Sequence, residues 1–509
     1  MINFLKRKKN SSRPFYITTT LPYANAKPHI GHVMEFVRAD TIARYQRMNY
    51  QIQNNQEINS AKSENVFFNT GTDEHGMKIY QKAQEEGLDT QSFVDEQSKT
   101  FSDLKEVLDI SYDKFIRTTD VEHIAAAQEF WKKCDERGYI YKKNYSGLYC
   151  VGCESFVNEK DLIKGECPDH PGKKPETISE ENYFFKYSNF AGDLLKLYKK
   201  KDNDGKSIVI PGARLNEIEK LVKNGLEDFS ISRLKNKMPW GVPVPNDENH
   251  VMYVWFDALV NYISTLGWPD ETGDYRKFWK GGRTVQICGK DNLQFQAARW
   301  QAMLLSVGLP PTNNILINGF VTSNGQKMSK TVGNVVDPID YVNKYGSEAV
   351  RYFSTRELHP SEDSDFTEEK FIEAYNANLA NGIGNVVSRV LKMAETNEVK
   401  ISEYELSLKI KKVWAESKKY HTLMSDFNLQ KAADEVWQNI ANIDNQIAET
   451  EPFKLVKKDP EKAKEIIEDL VLQVWAVAIL VEPFLPKTSD KIKRAVIEGK
   501  KPESLFNRI

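Results

Sequence analysis

Two histidines three residues apart, His29 and His32 in KPHIGH, follow a proline and flank Gly31. Three chemistries fit that spacing: metal ligation, core packing, or holding an anion at a helix start. Pro28 suits the first turn of a helix, where a missing N–H costs nothing. The free N–H groups and positive dipole end of such a turn attract an anion. His29 and His32, at i and i+3, project along one edge, and Gly31 lets a flat ring or a backbone come close. Imidazoles beside an anion donate hydrogen bonds to it and can be protonated by it, which suits a triphosphate. A zinc pair on one helix more commonly sits at i, i+4. A pair of core histidines is the plainer alternative.

A second stretch, GQKMSKTVGN at 325–334, carries Lys327 and Lys330 on a glycine-bounded loop. Two such lysines can swing over a phosphate and neutralise charge building up on a leaving pyrophosphate. Alone, the stretch reads more readily as a solvated basic loop. A third set, Cys150, Cys153, Cys167 and His170, has the pattern C-x2-C-x13-C-x2-H. Each short spacing brings two ligands to one corner of a tetrahedron. Four ligands saturate a Zn2+ and leave no open position, so this metal is expected to do folding work and no catalysis. A set of structural thiols is the alternative. Cys134 and Cys288 read as buried residues outside the set.

These residues need elements to hold them. PFYITTTLPYA reads as a buried strand running into a loop, followed by a helix from about Pro28 through HVMEFVRADTIARYQRM. VFFNTGTDEHG (66–76) reads as a second strand, with a helical segment after it. Strand, helix, strand, helix predicts an α/β fold with a parallel sheet. Residues 51–64 are polar and read as a surface insertion. Residues 131–235 break the rhythm. It returns with HVMYVWFDALVNYI (250–263), RTVQICGKDNL and NILINGFV, as if a sheet were split by an insertion. After about 376, apolar residues recur at i, i+3, i+4 and i+7, which predicts a helix bundle.

Bulk properties narrow the function. The chain has 509 residues, 40% hydrophobic and 28% charged, enough for roughly two to four domains. The apolar run VLQVWAVAILV is about half the ~20 residues a bilayer span needs. It reads as a buried helix, and no membrane partner is expected. MINFLKRKKNSS lacks an apolar stretch after its basic residues, so no secretory signal is expected. A net charge of −2 provides no global basic field, so a nucleic-acid partner must use a local patch. Five cysteines, an odd number and partly clustered, favour a reducing compartment, with the cytoplasm expected.

Taken together, HIGH at 29–32 and KMSKT at 327–331 resemble the two signature motifs of class I aminoacyl-tRNA synthetases. Thr331 keeps the hydroxyl of the usual serine. TTTLPYANAKPHIGH, NTGTDEHG, GLEDFSISR, WGVPVP, YVWFDAL and the cysteine-rich knuckle narrow the resemblance to the methionyl-tRNA synthetases, over almost the whole chain. That family implies a Rossmann-like parallel sheet split by a zinc-binding insertion, followed by an all-α anticodon-binding bundle. It implies a catalytic first half at 1–130 and a connective insertion with the zinc knuckle at 131–235. The catalytic second half is then 236–330, with a linking segment bearing the KMSKT loop and stem contacts at 331–375. The anticodon-binding domain is 376–509.

The resemblance also implies roles. His29, His32, Lys327 and Lys330 stabilise the α-phosphate and departing pyrophosphate of ATP, carried with Mg2+. Gly31, Gly289, Asp291, Val321 and Lys330 bind ATP, with Gly289 and Asp291 on the ribose and the Val321 backbone on the adenine. Leu21, Tyr23, Trp255 and Tyr262 line the methionine pocket, and Asp73, oriented by Arg233, takes the α-ammonium. Asn385, Arg389 and Phe453 read the anticodon, Phe453 standing where the family has tryptophan. The chain departs from the family at Asn292, Gln296 and Arg299, where an apolar residue, a histidine and an aromatic are common, and at Leu259, which replaces a proline. Gln296 can still hydrogen-bond near the sulfur, and Arg299 can point away.

The expected activity is a methionine–tRNA ligase acting on ATP, L-methionine and tRNA(Met), as a monomer without an appended C-terminal domain. A class I synthetase for another amino acid and a non-catalytic tRNA-binding paralogue are the alternatives.

Overall fold

The structure is a computed structural model that describes residues 13–150, 155–157, 159, 162–168, 172, 174–328 and 333–509. The chain divides into two units. One comprises Met1–Pro28, Phe67–Leu104 and Tyr112–Ile317, the other His29–Val66, Lys105–Ser111 and Asn318–Ile509.

In the first unit the β-branched and aromatic runs form the strands their composition predicts. Among the described residues, the strands β1 (Phe15–Thr18), β2 (Val66–Thr72), β3 (Lys114–Arg117), β7 (Val209–Ile210), β12 (Arg283–Gly289) and β13 (Asn314–Asn318) form one sheet. Their order is β3-β2-β1-β12-β13-β7. β1 pairs with β12, β2 with β3 and β13 with β7, all in parallel. All four residues of β1 are buried, as a strand covered on both faces requires. β1 from the first part of the chain lies beside β12 from far along it. Strand order reverses there, which is where open α/β sheets bind ligands, outside the strand carboxyl ends.

Two strands depart from the expected layout. β7, an edge of the main sheet, lies inside the stretch 131–235. HVMYVWFDALVNYI contributes only the end of β11 (Asp247–Met252), and this strand joins an antiparallel sheet with β10 (Pro243–Val244) and β9 (Ser232–Leu234). Two residues of β7 are too short to signal a strand in the sequence, and hydrophobicity alone does not say which sheet β11 enters. A further antiparallel sheet holds β5 (Ser155–Val157), β4 (Ile140–Cys150), β6 (Glu176–Phe185) and β8 (Phe229–Ser230). The core of this unit runs from Tyr16 through Phe130, Trp131, Phe256 and Trp300 to Ile317.

The second unit starts with the helix Ile30–Gln53. It begins two residues later than Pro28, with His29 as its N-cap, and takes in the first residues of the expected 51–64 insertion. The helix buries charge. Arg38 donates to the carbonyls of Ser354, Leu358, His359 and Pro360 and to Asn318 Oδ1. Asp40 sits between Arg44 (2.8 Å) and Arg351 (2.7 Å). Buried guanidiniums are tolerated only when their donors are met, and here backbone carbonyls and the Asp40 carboxylate meet them.

Helices dominate the C-terminal part: Asn385–Thr396, Leu429–Thr450, Pro460–Val481 and Pro486–Glu498. Asp459 caps the third of these through the Lys462 N–H, with Pro460 in the first turn, a common start signal. The run 471–481 is a largely buried part of that helix.

Candidate active site

In the first unit the carboxyl ends of β1, β2 and β12 carry residues with predicted roles. Leu21 and Tyr23 follow β1, and both are half-buried. Tyr23 donates its hydroxyl to the His75 carbonyl at 2.7 Å. Asp73 follows β2 and is 4% exposed. Its N–H donates to the Pro22 carbonyl (2.9 Å), and its carbonyl accepts from the Ala24 N–H (2.8 Å). The chain segments bearing Tyr23 and Asp73 are thus paired directly. Gly289 ends β12, and Asp291 is exposed in the turn Lys290–Asn292 that follows.

Trp255 and Tyr262 come from two short helices, Val254–Ala258 and Asn261–Ser264. Trp255 is half-buried and stacks on Phe295, with ring centroids 3.8 Å apart and planes 15° apart. Tyr262 is buried, and Gln296 Nε2 donates to its hydroxyl at 2.5 Å. Gln296 therefore does hydrogen-bond inside the expected pocket. Arg299 turns its guanidinium onto the rings of Phe295 and Phe229, 4.6 Å from each centroid. Leu259 is buried at the end of the first short helix. Arg233 donates to Ser230 Oγ and the Ser232 carbonyl and lies over the Tyr253 ring.

Sequence reasoning missed several buried polar groups in the segments that carry these residues. His75 Nδ1 lies 2.6 Å from Asp257 Oδ2, and His123 Nε2 lies 2.8 Å from Asp257 Oδ1. Glu74 takes Arg117 at 2.7 and 2.8 Å and the Thr119 hydroxyl at 2.5 Å. The signal was present: a carboxylate in the apolar run YVWFDALV needs a partner if it is buried. Phe295, the stacking partner of Trp255, had no such signal.

In the second unit the histidine pair differs from expectation in two respects. The rings stack with centroids 3.8 Å apart. His29 Nδ1 accepts the Gly31 N–H (3.1 Å), and His32 Nδ1 accepts the His29 N–H (3.2 Å). The N–H of Ile30 goes to the Val336 carbonyl, and those of His32 and Val33 go to the His29 carbonyl. The first turn is therefore already satisfied, and its backbone does not supply the predicted free N–H groups. Nor are the rings ready to take a proton. Burial pushes His29 down to about 4. It pushes His32 well below the ordinary range, with His29 adding to the effect. A proton on either Nδ1 would also face an N–H. Each ring is neutral with its hydrogen on Nε2. Gly31 is needed here because an added Cβ would come within 2.9 Å of His29 Cε1.

Val321 is buried in β14 (Val321–Ser323), which pairs with β15 (Gln326–Lys327) and in parallel with β16 (Ser364–Phe366). Asn324 and Gly325, both at positive φ, form the two-residue turn such hairpins favour. The backbone of Lys327 thus belongs to a strand, where a loop was expected. Lys330 and Thr331 lie outside the described residues.

The anticodon candidates lie on helices. Asn385 is exposed at the first position of Asn385–Thr396. Arg389, one turn on, is ion-paired with Asp444. Phe453 is 50% exposed, unusual for a large aromatic ring with no role. Of the metal candidates, Cys150 ends β4 and Cys167 follows the tight Ile163–Glu166 turn, each 2% exposed. Cys153 and His170 lie outside the described residues, among which no three potential ligands converge. Buried thiols at a strand end and after a tight turn suit half of a tetrahedral set.

Comparison with known proteins gives a consistent result. The family model for class I tRNA synthetases (M) matches residues 15–171 and 170–391, and that for the anticodon binding domain of methionyl tRNA ligase matches 396–504. A methionine–tRNA ligase of Thermotoga maritima is 39% identical, covering 96% of this chain and 76% of its own. One of Brucella suis is 37% identical, covering 95% and 91%. The solved Mycobacterium tuberculosis methionyl-tRNA synthetase in complex with methionyl-adenylate superposes with a TM-score of 0.83 at 31% identity, over 97% of this chain and 98% of that one.

Proposed function

The chain belongs to the methionyl-tRNA synthetase family of class I tRNA synthetases, and on that premise we propose how its residues divide the work of a methionine–tRNA ligase. A methionine carboxylate oxygen attacks the α-phosphorus of ATP. The bond to pyrophosphate breaks, and methionyl-adenylate forms. A ribose hydroxyl of the terminal adenosine of tRNA(Met) then attacks the activated carbonyl, and AMP leaves. No covalent enzyme nucleophile takes part, so catalysis is positioning plus stabilisation of developing charge.

His29 and His32 donate Nε2–H to phosphate oxygens, and Lys327 and Lys330 follow the charge onto the leaving pyrophosphate. Gly31 gives the nucleotide close approach. Gly289 and Asp291 hold the ribose, and the Val321 backbone meets the adenine. Leu21, Tyr23, Trp255 and Tyr262 enclose the methionine side chain, whose polarisable sulfur packs well against aromatic rings. Asp73 takes the α-ammonium. Asn385, Arg389 and Phe453 meet the anticodon, donors for base edges and a ring for stacking. Mg2+ on ATP would neutralise phosphate charge. One structural Zn2+, held by Cys150, Cys153, Cys167 and His170, would tie the insertion together. A cytoplasmic location and a monomeric state complete the proposal. No described helix is long and apolar enough to cross a membrane, and sedimentation velocity tests the monomer.

The Nε2–H histidine pair at the helix start carries this reading, in a chain whose likeness to methionine–tRNA ligases runs along nearly its whole length. ATP–pyrophosphate exchange with each standard amino acid in turn is the test. Exchange with methionine alone supports the full reading. Exchange with another amino acid keeps the mechanism and removes the specificity. No exchange from folded, zinc-loaded protein favours a tRNA-binding paralogue.

A further inference from the structure

We propose that Asp257, gripped between His75 and His123, positions the walls of the amino-acid pocket, and that the three are positioning residues for methionine recognition. The inference rests on the assignment of Tyr23, Asp73, Trp255 and Tyr262 to that pocket.

The cluster is buried and directional. Asp257 and His123 are 0% exposed and His75 4%. Asp257 Oδ2 meets His75 Nδ1 at 2.6 Å, and Oδ1 meets His123 Nε2 at 2.8 Å. His123 Nδ1 lies 2.9 Å from Ser264 Oγ. Burial alone raises the Asp257 carboxyl, but the two imidazoles outweigh it and hold the group below its ordinary value. The carboxylate is therefore ionised and accepts only. His75 therefore donates from Nδ1 and His123 from Nε2, and His123 Nδ1 shares a hydrogen bond with Ser264 Oγ. The chain Ser264–His123–Asp257–His75 is thus continuous and holds two imidazoles on one buried carboxylate.

Three of the four members lie two residues along the chain from a pocket residue. His75 is two residues after Asp73, and its carbonyl takes the Tyr23 hydroxyl at 2.7 Å. Glu74, between them, is pinned by Arg117, Thr72 and Thr119. The Asp73–His75 turn is thus held through both residues that follow Asp73. Asp257 is two residues after Trp255, and Ser264 two after Tyr262. The helices that carry them, Val254–Ala258 and Asn261–Ser264, have no side-chain cap. Helices of one turn do not hold themselves, so their placement depends on anchors. A buried ionic group adds little net stability over well-packed apolar residues, but it fixes register. Fixed register is what four pocket residues from separate segments require.

The test uses the full chain and three measurements: methionine affinity by calorimetry without ATP, KM for methionine against KM for ATP in pyrophosphate exchange, and the thermal midpoint. Asp257→Asn, His75→Ala and His123→Ala are expected to weaken methionine binding and raise its KM by about tenfold or more, with KM for ATP within about twofold. His75→Asn places an amide N–H near the lost Nδ1, and His123→Gln places one near the lost Nε2. Each is expected to recover most of the loss. Ser264→Ala, the mildest change, gives a smaller shift of the same kind and serves where a larger one unfolds the chain. Unchanged methionine affinity in folded variants overturns the proposal. So does a parallel rise of both KM values with a lowered midpoint and no rescue, which marks a merely structural role. Wild-type protein that fails to exchange with methionine sinks the pocket assignment itself, a separate result.

Discussion

A neutral imidazole stabilises a phosphate by donating one N–H, and at His29 and His32 that N–H is on Nε2 because backbone N–H groups fill both Nδ1 positions. Removing one such donor typically costs about 10²–10³ in rate, and His29→Ala should show that loss in exchange at saturating substrates. With His29 held down to about 4, kcat should carry no titration from this pair near neutral pH. Between the ordinary histidine value and about 4, the unfolded chain binds the proton and the folded chain does not. Stability contributed by the buried neutral ring is complete above the ordinary value and falls as the pH drops. Denaturant midpoints near pH 7.5 and near pH 5 should therefore diverge less in His29→Asn than in the wild type. Gly31→Ala tests the geometry. Its methyl group would push the His29 ring aside, and misplacement of about 1 Å can cost up to about 100-fold in activity with little change in midpoint. The motif HIGH revealed the presence of this pair. Its protonation depended on burial and on the backbone atoms facing each nitrogen, which no spacing encodes.

Among the elements, the hairpin of β14 and β15 presents Lys327 on a strand, with Lys330 three residues on. Changing both lysines to alanine is expected to lower aminoacylation by about 10³-fold or more. Unchanged aminoacylation would end their catalytic assignment. A turn signal was legible at Asn324–Gly325, although the stretch around Lys327 reads as a loop. That the strand reaches Lys327 was not legible, because pairing with Val321–Ser323 is a tertiary choice. The bundle was also legible, from its apolar period. Phe453 lies on the short helix Pro452–Leu455 with half its surface exposed. Stacking on a base is worth roughly 1–3 kcal/mol. Phe453→Ala should raise KM for tRNA in aminoacylation and leave pyrophosphate exchange untouched. Arg389 and Asp444 are 38% and 49% exposed. Such a pair contributes only about 0–1 kcal/mol, little enough for Arg389 to exchange its partner for an RNA base.

At the scale of the whole molecule, the zinc assignment makes a prediction about folding. Metal analysis should find one Zn2+ per chain. Chelation should lower the thermal midpoint and open the stretch around β4–β6 to protease, because a structural metal's binding energy is folding energy. The sequence by itself determined the chemistry-bearing motifs, the parallel α/β sheet built from distant strands, and the helical C-terminal part. Those rest on local signals: side-chain period, turn residues and short spacings that one element or one knuckle contains. Only the tertiary structure decided that β7 joins the main sheet, that β11 does not, that Arg299 lies on Phe295 and Phe229, and that Asp257 lies between His75 and His123. Each of these depends on residues far apart in the chain becoming neighbours. A buried charge or a two-residue strand has no meaning until its partner is in place.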